Sequence, residues 1–249
     1  MIDTHLHILP AVDDGPETIQ ESLSLARALV QEGVHSAIAT PHYNDVYPRR
    51  SAAEIRERVY DLQQELDRQG IPLRLFAGHE ALIKAGLAED IQAGRLATLN
   101  SSCYLLLELW NSRWLPETER VIFELQAYGI IPIIAHPERY HAIQKDPGRL
   151  AALLQQGVLA QLTVSSLVGM QGNTIRRCAE ILLKKGLIHC IASDAHDLRK
   201  RPPGVSRGLK RATELVGQTR VHQMTETHPL AIVGSQLPNF RPQSGSVVW

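Results

Sequence analysis

The sequence predicts an α/β fold in which seven parallel strands, each leading into helical or loop sequence, close into one barrel. Three observations carry that expectation. Apolar β-type runs alternate with amphipathic stretches along nearly the whole chain, the rhythm of repeated βα units around a parallel sheet. Glycines at 33, 70, 129, 157, 186 and 217 fall where those helices should stop. Six of the seven strands run out into a His, Asp or Glu at their C-terminal ends, the face on which a parallel barrel gathers its active site.

The first strand is expected over residues 1–4, followed by a helix over 17–32 with Pro16 at its first turn. A strand over 36–40 precedes a helix over 52–69, and a third strand covers 73–77. Strands over 104–107 and 130–135 each lead to a helix, over 115–128 and 147–156. The last two strands, over 158–162 and 187–192, are followed by helices over 173–185 and 205–216. No Pro- or Ser-rich linker divides the chain, so residues 1–249 are read as a single domain with an irregular tail from about 219.

Composition narrows the function. The chain has 249 residues, 44% hydrophobic and 21% charged, enough for a sizeable core and unlike a disordered protein. Lys plus Arg and Asp plus Glu both total 26, so no global field recruits nucleic acid. The 5% aromatic content argues against a base-stacking surface, and no apolar run is long enough to cross a bilayer. The first residues lack the layout of a secretory signal, and three cysteines without a CxxC pair suit a reducing compartment, so a cytoplasmic protein is expected. A cysteine-based phosphatase needs Arg six positions after its nucleophile; after Cys103, Cys178 and Cys190 those positions hold Leu109, Lys184 and His196.

The polar strand ends are His5 and His7, then His42, Glu80, Glu108, His136, and finally Asp194 and His196. In His5-Leu6-His7 and Asp194-Ala195-His196 the i and i+2 side chains of an extended segment share one side, so each pair can reach one cluster. With Asp14 from Asp13-Asp14-Gly15, five imidazoles and four carboxylates converge, a donor set for divalent Mn, Zn or Fe. Nine ligands overfill one site and fit three ions better. Three such ions bring about +6 and the carboxylates about −4, a surplus that attracts a phosphate dianion. His79, next to Glu80, should face away from the cluster, and His35, His141, His189, His222 and His228 lack ligand company. Asp3 is placed to orient His5. The basic stretch 199–211 reads as a solvated helix start apart from Arg201.

The blocks His5-Leu6-His7-Ile8-Leu9-Pro10, Asp13-Asp14-Gly15, Thr40-Pro41-His42, Gly78-His79-Glu80, Leu107-Glu108-Leu109, His136-Pro137-Glu138-Arg139-Tyr140 and Ser193-Asp194-Ala195-His196 resemble the PHP (polymerase and histidinol phosphatase) superfamily. Within it the chain resembles most the bacterial manganese-dependent protein-tyrosine phosphatases of the CpsB/CapC/YwqE type. The resemblance implies a distorted (β/α)7, TIM-like barrel holding three metals, most of all manganese. It assigns His5, His7, Glu80 and Asp194 to one ion, Glu80, Glu108 and His136 to a second, and Asp14, His42 and His196 to the third. It also implies phosphate-binding roles for Arg139 and Arg201, which with His42 and Asp194 form the expected catalytic set. The expected reaction is metal-assisted hydrolysis of a phosphotyrosine protein, the tail of a bacterial tyrosine kinase in capsule or exopolysaccharide synthesis, by a homo-oligomer. The rival readings are a histidinol-phosphate or other small-molecule phosphatase on the same barrel and a noncatalytic metal-stabilised scaffold.

Overall fold

The computed structural model describes residues 1–234. Nine parallel strands, β1 (Ile2–Leu6), β2 (Ser36–Ala39), β3 (His42–Tyr43), β4 (Arg74–Ala77), β5 (Glu80–Leu82), β6 (Tyr104–Glu108), β7 (Ile131–Ala135), β8 (Leu159–Thr163) and β9 (Cys190–Ala192), make seven staves. The second stave is β2 continued by β3, and the third is β4 continued by β5. Both are interrupted at the same level. Pro41, which has no N–H, and Gly78 fall in the gaps, and the pairing Ala39 with Ala77 resumes as His42 with Glu80, so register survives. A Cβ at Gly78 would lie 2.9 Å from Leu99 Cδ2 and 3.1 Å from Ile38 Cγ2, which leaves room only for glycine. The uninterrupted strand expected over 36–40 and the short one over 73–77 are thereby corrected: each stave goes on past its gap to carry a site residue.

The barrel closes between its last stave and its first. Asp194 N donates to His5 O at 2.9 Å and His7 N to Ala195 O at 3.0 Å, beside the bridge between Leu6 and Ala195. Alternation along each stave then sorts the interior into two tiers. Ile38, Tyr104, Leu106, Ile133, Leu159 and Cys190 form an apolar plug with Phe76 packed on it. Two or four residues further along the same staves come His42, Glu80, Glu108, Gln161 and Asp194.

Outside lie α1 (Ile19–Gln31), α2 (Ala52–Arg68), α3 (Leu87–Gln92), α4 (Thr118–Ala127), α5 (His141–Lys145), α6 (Gly148–Gln155), α7 (Val164–Leu167), α8 (Asn173–Lys184) and α9 (Val205–Val216). Capping boxes start α1 and α2: Thr18 with Glu21 and Ser51 with Glu54 exchange side-chain and backbone bonds. Because Thr18 is the cap, Pro16 lies before α1 and not in its first turn as expected.

The irregular tail expected from about 219 is also corrected. Residues α10 (Gln218–His222), a π-turn (Gln223–Thr227) and α11 (His228–Val233) are helical. Pro229 reads as a breaker but stands in the first turn of α11, where its missing N–H costs little. Polar Thr225 among the buried positions further hid the period. This segment closes the bottom of the barrel: Ile232 joins the plug, Asn100 donates to Val233 O at 2.9 Å, and Arg220 donates to Ile188 O at 3.2 Å. The remainder of the expected tail, 235–249, lies outside the described residues. Among the described residues no helix is long and apolar enough to cross a membrane.

Candidate metal centre

All nine expected ligands come together at the C-terminal mouth of the barrel. Glu80, 1% exposed, is the hub. Its Oε2 lies 3.3 Å from His5 Nε2, 3.3 Å from His7 Nε2 and 3.1 Å from His42 Nδ1, and its Oε1 lies 2.8 Å from His136 Nε2. Three groups have ligand atoms mutually close enough to share an ion: His5, His7 and Glu80; His42, Glu80 and Glu108; and His7, Asp14, His42 and His196. The last contains the expected third set and adds His7 to it; the first lacks the expected Asp194, and the second has His42 where His136 was expected. Asp14 Oδ1 stands 3.3 Å from His196 Nε2 and 3.5 Å from His42 Nε2, and the His7 and His196 rings stack at 3.7 Å.

The imidazoles are aimed from behind. His5 Nδ1 donates to Gln161 Oε1 at 2.9 Å, with Gln161 fixed by its own amide, which donates to Leu162 O at 3.1 Å. His7 Nδ1 donates to Asp13 Oδ2 at 2.7 Å, and His196 Nδ1 donates to Asp194 O at 3.0 Å. With the Nδ1 atoms of these three rings so committed, any cation that His5, His7 or His196 accepts must sit at Nε2. The His5 and His7 Nε2 atoms face each other at 3.0 Å beside Glu80, and His196 Nε2 is buried without a hydrogen-bond partner. Asp13 also accepts from His42 N at 3.1 Å and Gly15 N at 3.0 Å. Gly15 is required there, since a Cβ would lie 2.8 Å from the His7 carbonyl oxygen.

Electrostatics agree with a cation site. Burial disfavours charge on His7, but Asp13 and Glu80 raise it to about 10, so the pocket demands positive charge at that point. Despite burial, His5 and His42 hold Glu80 well below the usual carboxylate range. Burial and then the Glu80 charge push Glu108 up to about 7. Burial lowers His136 to about 4, helped by Arg139, and lowers His196 to about 4, helped by His7. The buried, converging nitrogen and oxygen donors fit divalent ions of the Mn, Fe or Zn kind.

Both expected arginines reach the same carboxylate. Arg139 Nη2 lies 2.6 Å from Asp194 Oδ2, while Arg201 Nη2 lies 3.0 Å from both Asp194 oxygens and its Nη1 3.2 Å from Asp14. Burial opposes ionisation of Asp194, yet Arg139, His5 and Arg201 hold it well below the usual range. Two residues of this group have left-handed backbone, His136 at φ 35° and Asp194 at φ 52°, a conformation that non-glycine residues keep where the surroundings enforce it.

Sequence reasoning missed Asp13, Gln161, Tyr47 and Glu138. Tyr47 stacks on His42 at 5.6 Å with planes 6° apart. Glu138 is buried and accepts from Thr163 N at 3.1 Å and Ser166 Oγ at 2.7 Å, tying the Arg139 loop to α7. Asp13 and Glu138 had a signal, their places in Asp13-Asp14-Gly15 and His136-Pro137-Glu138-Arg139-Tyr140. Asp3 accepts from the backbone N–H groups of His5 and Ser193 at 3.3 and 3.0 Å, so it braces the barrel seam while Gln161 orients the ring. His79 faces away as expected, its Nδ1 accepting from Ala97 N at 2.9 Å.

Known proteins share this arrangement of the chain. The tyrosine-protein phosphatase YwqE of Bacillus subtilis is 34% identical over 243 residues, 98% of this chain and 96% of its own. The tyrosine-protein phosphatase CpsB of Streptococcus agalactiae is 27% identical over 229 residues, 90% and 94% of the two chains. Among solved structures, one from a study of YwqE from Bacillus subtilis and CpsB from Streptococcus pneumoniae, described as metal-dependent tyrosine phosphatases, superposes with a TM-score of 0.91 at 34% identity over 95% of this chain and 96% of its own. The family defined by CpsB/CapC capsular polysaccharide synthesis proteins matches residues 1–234, and the chain belongs to that family.

Proposed function

We infer that the chain is a metal-dependent protein-tyrosine phosphatase of capsular polysaccharide synthesis. The observation that carries this is the convergence of Arg139 and Arg201 on Asp194 at the edge of a cage of seven His, Asp and Glu residues able to hold metal ions. Three manganese ions are the loading that the donor set supports, distributed over the groups built on Glu80 and Asp14. When bound, such ions supply a water nucleophile active at neutral pH and neutralise charge on phosphoryl oxygens. Arg139 and Arg201 present planar N–H forks to one place, so a phosphoryl group seated there accepts bonds from both. His42 stands between Asp14 and Glu108 at the mouth, and the Asp194 carboxylate, under both guanidiniums, positions the two forks that would bind the phosphoryl group. A tyrosyl leaving group, with pKa about 10, departs with little protonation.

Cysteine chemistry is opposed by position: Cys178 and Cys190 are buried, and burial pushes the Cys178 thiol up to about 12. The free cysteines support a reducing, cytoplasmic setting. The substrate proposed is the phosphotyrosine tail of a bacterial tyrosine kinase, and the active form a homo-oligomer that uses the exposed charged face of α1, to be checked by light scattering at micromolar concentration. The deciding assay compares phosphate release from a phosphotyrosyl peptide and from histidinol phosphate in matched metal buffers, before and after chelation. Release from the peptide, abolished by chelation and restored by Mn²⁺, is expected. Preference for histidinol phosphate, or full activity after demetallation, overturns the reading.

A further inference from the structure

On the flank of the barrel a cleft of about 400 Å³ runs between α8 and α9. Leu167, the last residue of α7, and Val168 after it contribute to its lining. Gly208 makes this packing possible: a Cβ there would lie 2.7 Å from Val164 Cβ and 2.7 Å from Val164 O, so α9 lies directly on α7. Arg207, Lys210 and Arg211, spaced i, i+3 and i+4, share the cleft face of α9, and Arg176 enters from α8. At one end the charges are settled: Arg211 pairs with Glu180 at 2.8 Å and Glu214 at 3.0 Å. At the other, Arg176, Arg207 and Lys210 are exposed and make no ion pair or side-chain hydrogen bond among the described residues. Four cations against Glu180 and Glu214 leave the cleft lining two positive charges in excess, on a chain whose formal charge is zero.

That end lies towards the mouth. Helix α7 begins directly after the C-terminal end of β8, and Arg207 follows Arg201 by only six residues, a separation that extended chain spans in at most about 20 Å. We propose that the α8–α9 cleft is a docking site for an acidic segment of the phosphoprotein substrate, within about six residues of the phosphotyrosine. The proposal rests on the function inferred above. Charge complementarity selects the occupant: an acidic segment matches the cleft's excess cations, whereas the chain's own residues 235–249 contain no Asp or Glu side chain.

The test uses two phosphotyrosyl peptides that differ only in carrying Asp and Glu, or Asn and Gln, four to six positions from the phosphotyrosine. Each is titrated with the full chain by fluorescence anisotropy and assayed for turnover, and p-nitrophenyl phosphate serves as a substrate without a flank. The parent should favour the acidic peptide in Kd and in kcat/KM at low salt. The triple variant Arg176→Glu, Arg207→Glu, Lys210→Glu should lose roughly tenfold on that peptide while its p-nitrophenyl phosphate turnover stays at the parent level. Salt should shrink the parent's preference as the Debye length falls. Equal handling of the two peptides by the parent, or a preference kept in the triple variant, overturns the docking site. Binding of the acidic peptide that the variant loses, with no turnover of any substrate, would instead overturn the phosphatase reading and leave the cleft in place. Should the Glu variant fold poorly by circular dichroism, the Gln triple variant removes the same charges and carries the same expectations.

Discussion

His5, His7 and His196 each commit one ring nitrogen to the protein, and that bond decides how well the other is aimed at a candidate cation position. Asp13→Asn replaces a carboxylate by an amide behind His7, and Gln161→Leu removes the acceptor behind His5. Either should weaken metal affinity about 10- to 100-fold, read by competition with a chromophoric chelator, with the circular dichroism spectrum unchanged. Parent-like affinity in both would mean that the rings are held by packing alone. Arg139→Lys and Arg201→Lys keep the charge near Asp194 but lose the fork. Each should lower kcat/KM roughly ten- to a hundredfold, the worth of one charge-assisted bond, at unchanged metal content; parent-level kinetics in both would reassign the phosphate site. The ligands were legible because chemistry at strand ends leaves a mark in sequence. Gln161 was not, since it stands 156 residues from the ring it orients and a buried glutamine in a strand has no signature of its own.

The elements show where local sequence rules stop. The caps, the glycine stops and all seven staves were readable, whereas the gaps at 40–41 and 78–79 were not, because a break is visible only when the neighbouring stave breaks with it. The helices after 217 escaped for a related reason: they are held by contacts to the barrel floor more than by their own periodicity. Close approach between elements gives a sharper test. Gly208→Ala sets a methyl 2.7 Å from the Val164 backbone oxygen, where real side chains do not go. Although Ala is the better helix former, the variant should be destabilised by about 1–3 kcal/mol, measured as a lower denaturation midpoint. A midpoint at or above the parent's would show that α9 can lift from α7 without cost.

At the scale of the whole molecule, stability should fall on mild acidification through a group far from the cage. His189 is lowered to about 4, first by burial and then by His228 and Arg220, and its Nδ1 accepts from Ala160 N at 3.2 Å. Its pKa in the unfolded chain is about 6.5, so the folded state resists protonation. The resulting stabilisation is complete above about pH 6.5 and is lost as pH falls from there through 4, on the order of 3 kcal/mol in all. His189→Gln should show a flatter dependence of unfolding free energy on pH between 7 and 4.5 than the parent; identical slopes would place the acid sensitivity elsewhere.

The seam between the last stave and the first has a consequence for how the protein comes into being. Cage residues run from His5 to His196, and His5 and His7 meet Asp194 and His196 only across that seam. A chain still leaving the ribosome can therefore fold helices and adjacent staves in order yet hold no complete cage until about four-fifths of it has been made. Full ion loading therefore waits for the closing stave, and a nascent chain arrested before Asp194 should retain less divalent metal through a desalting column than the full chain.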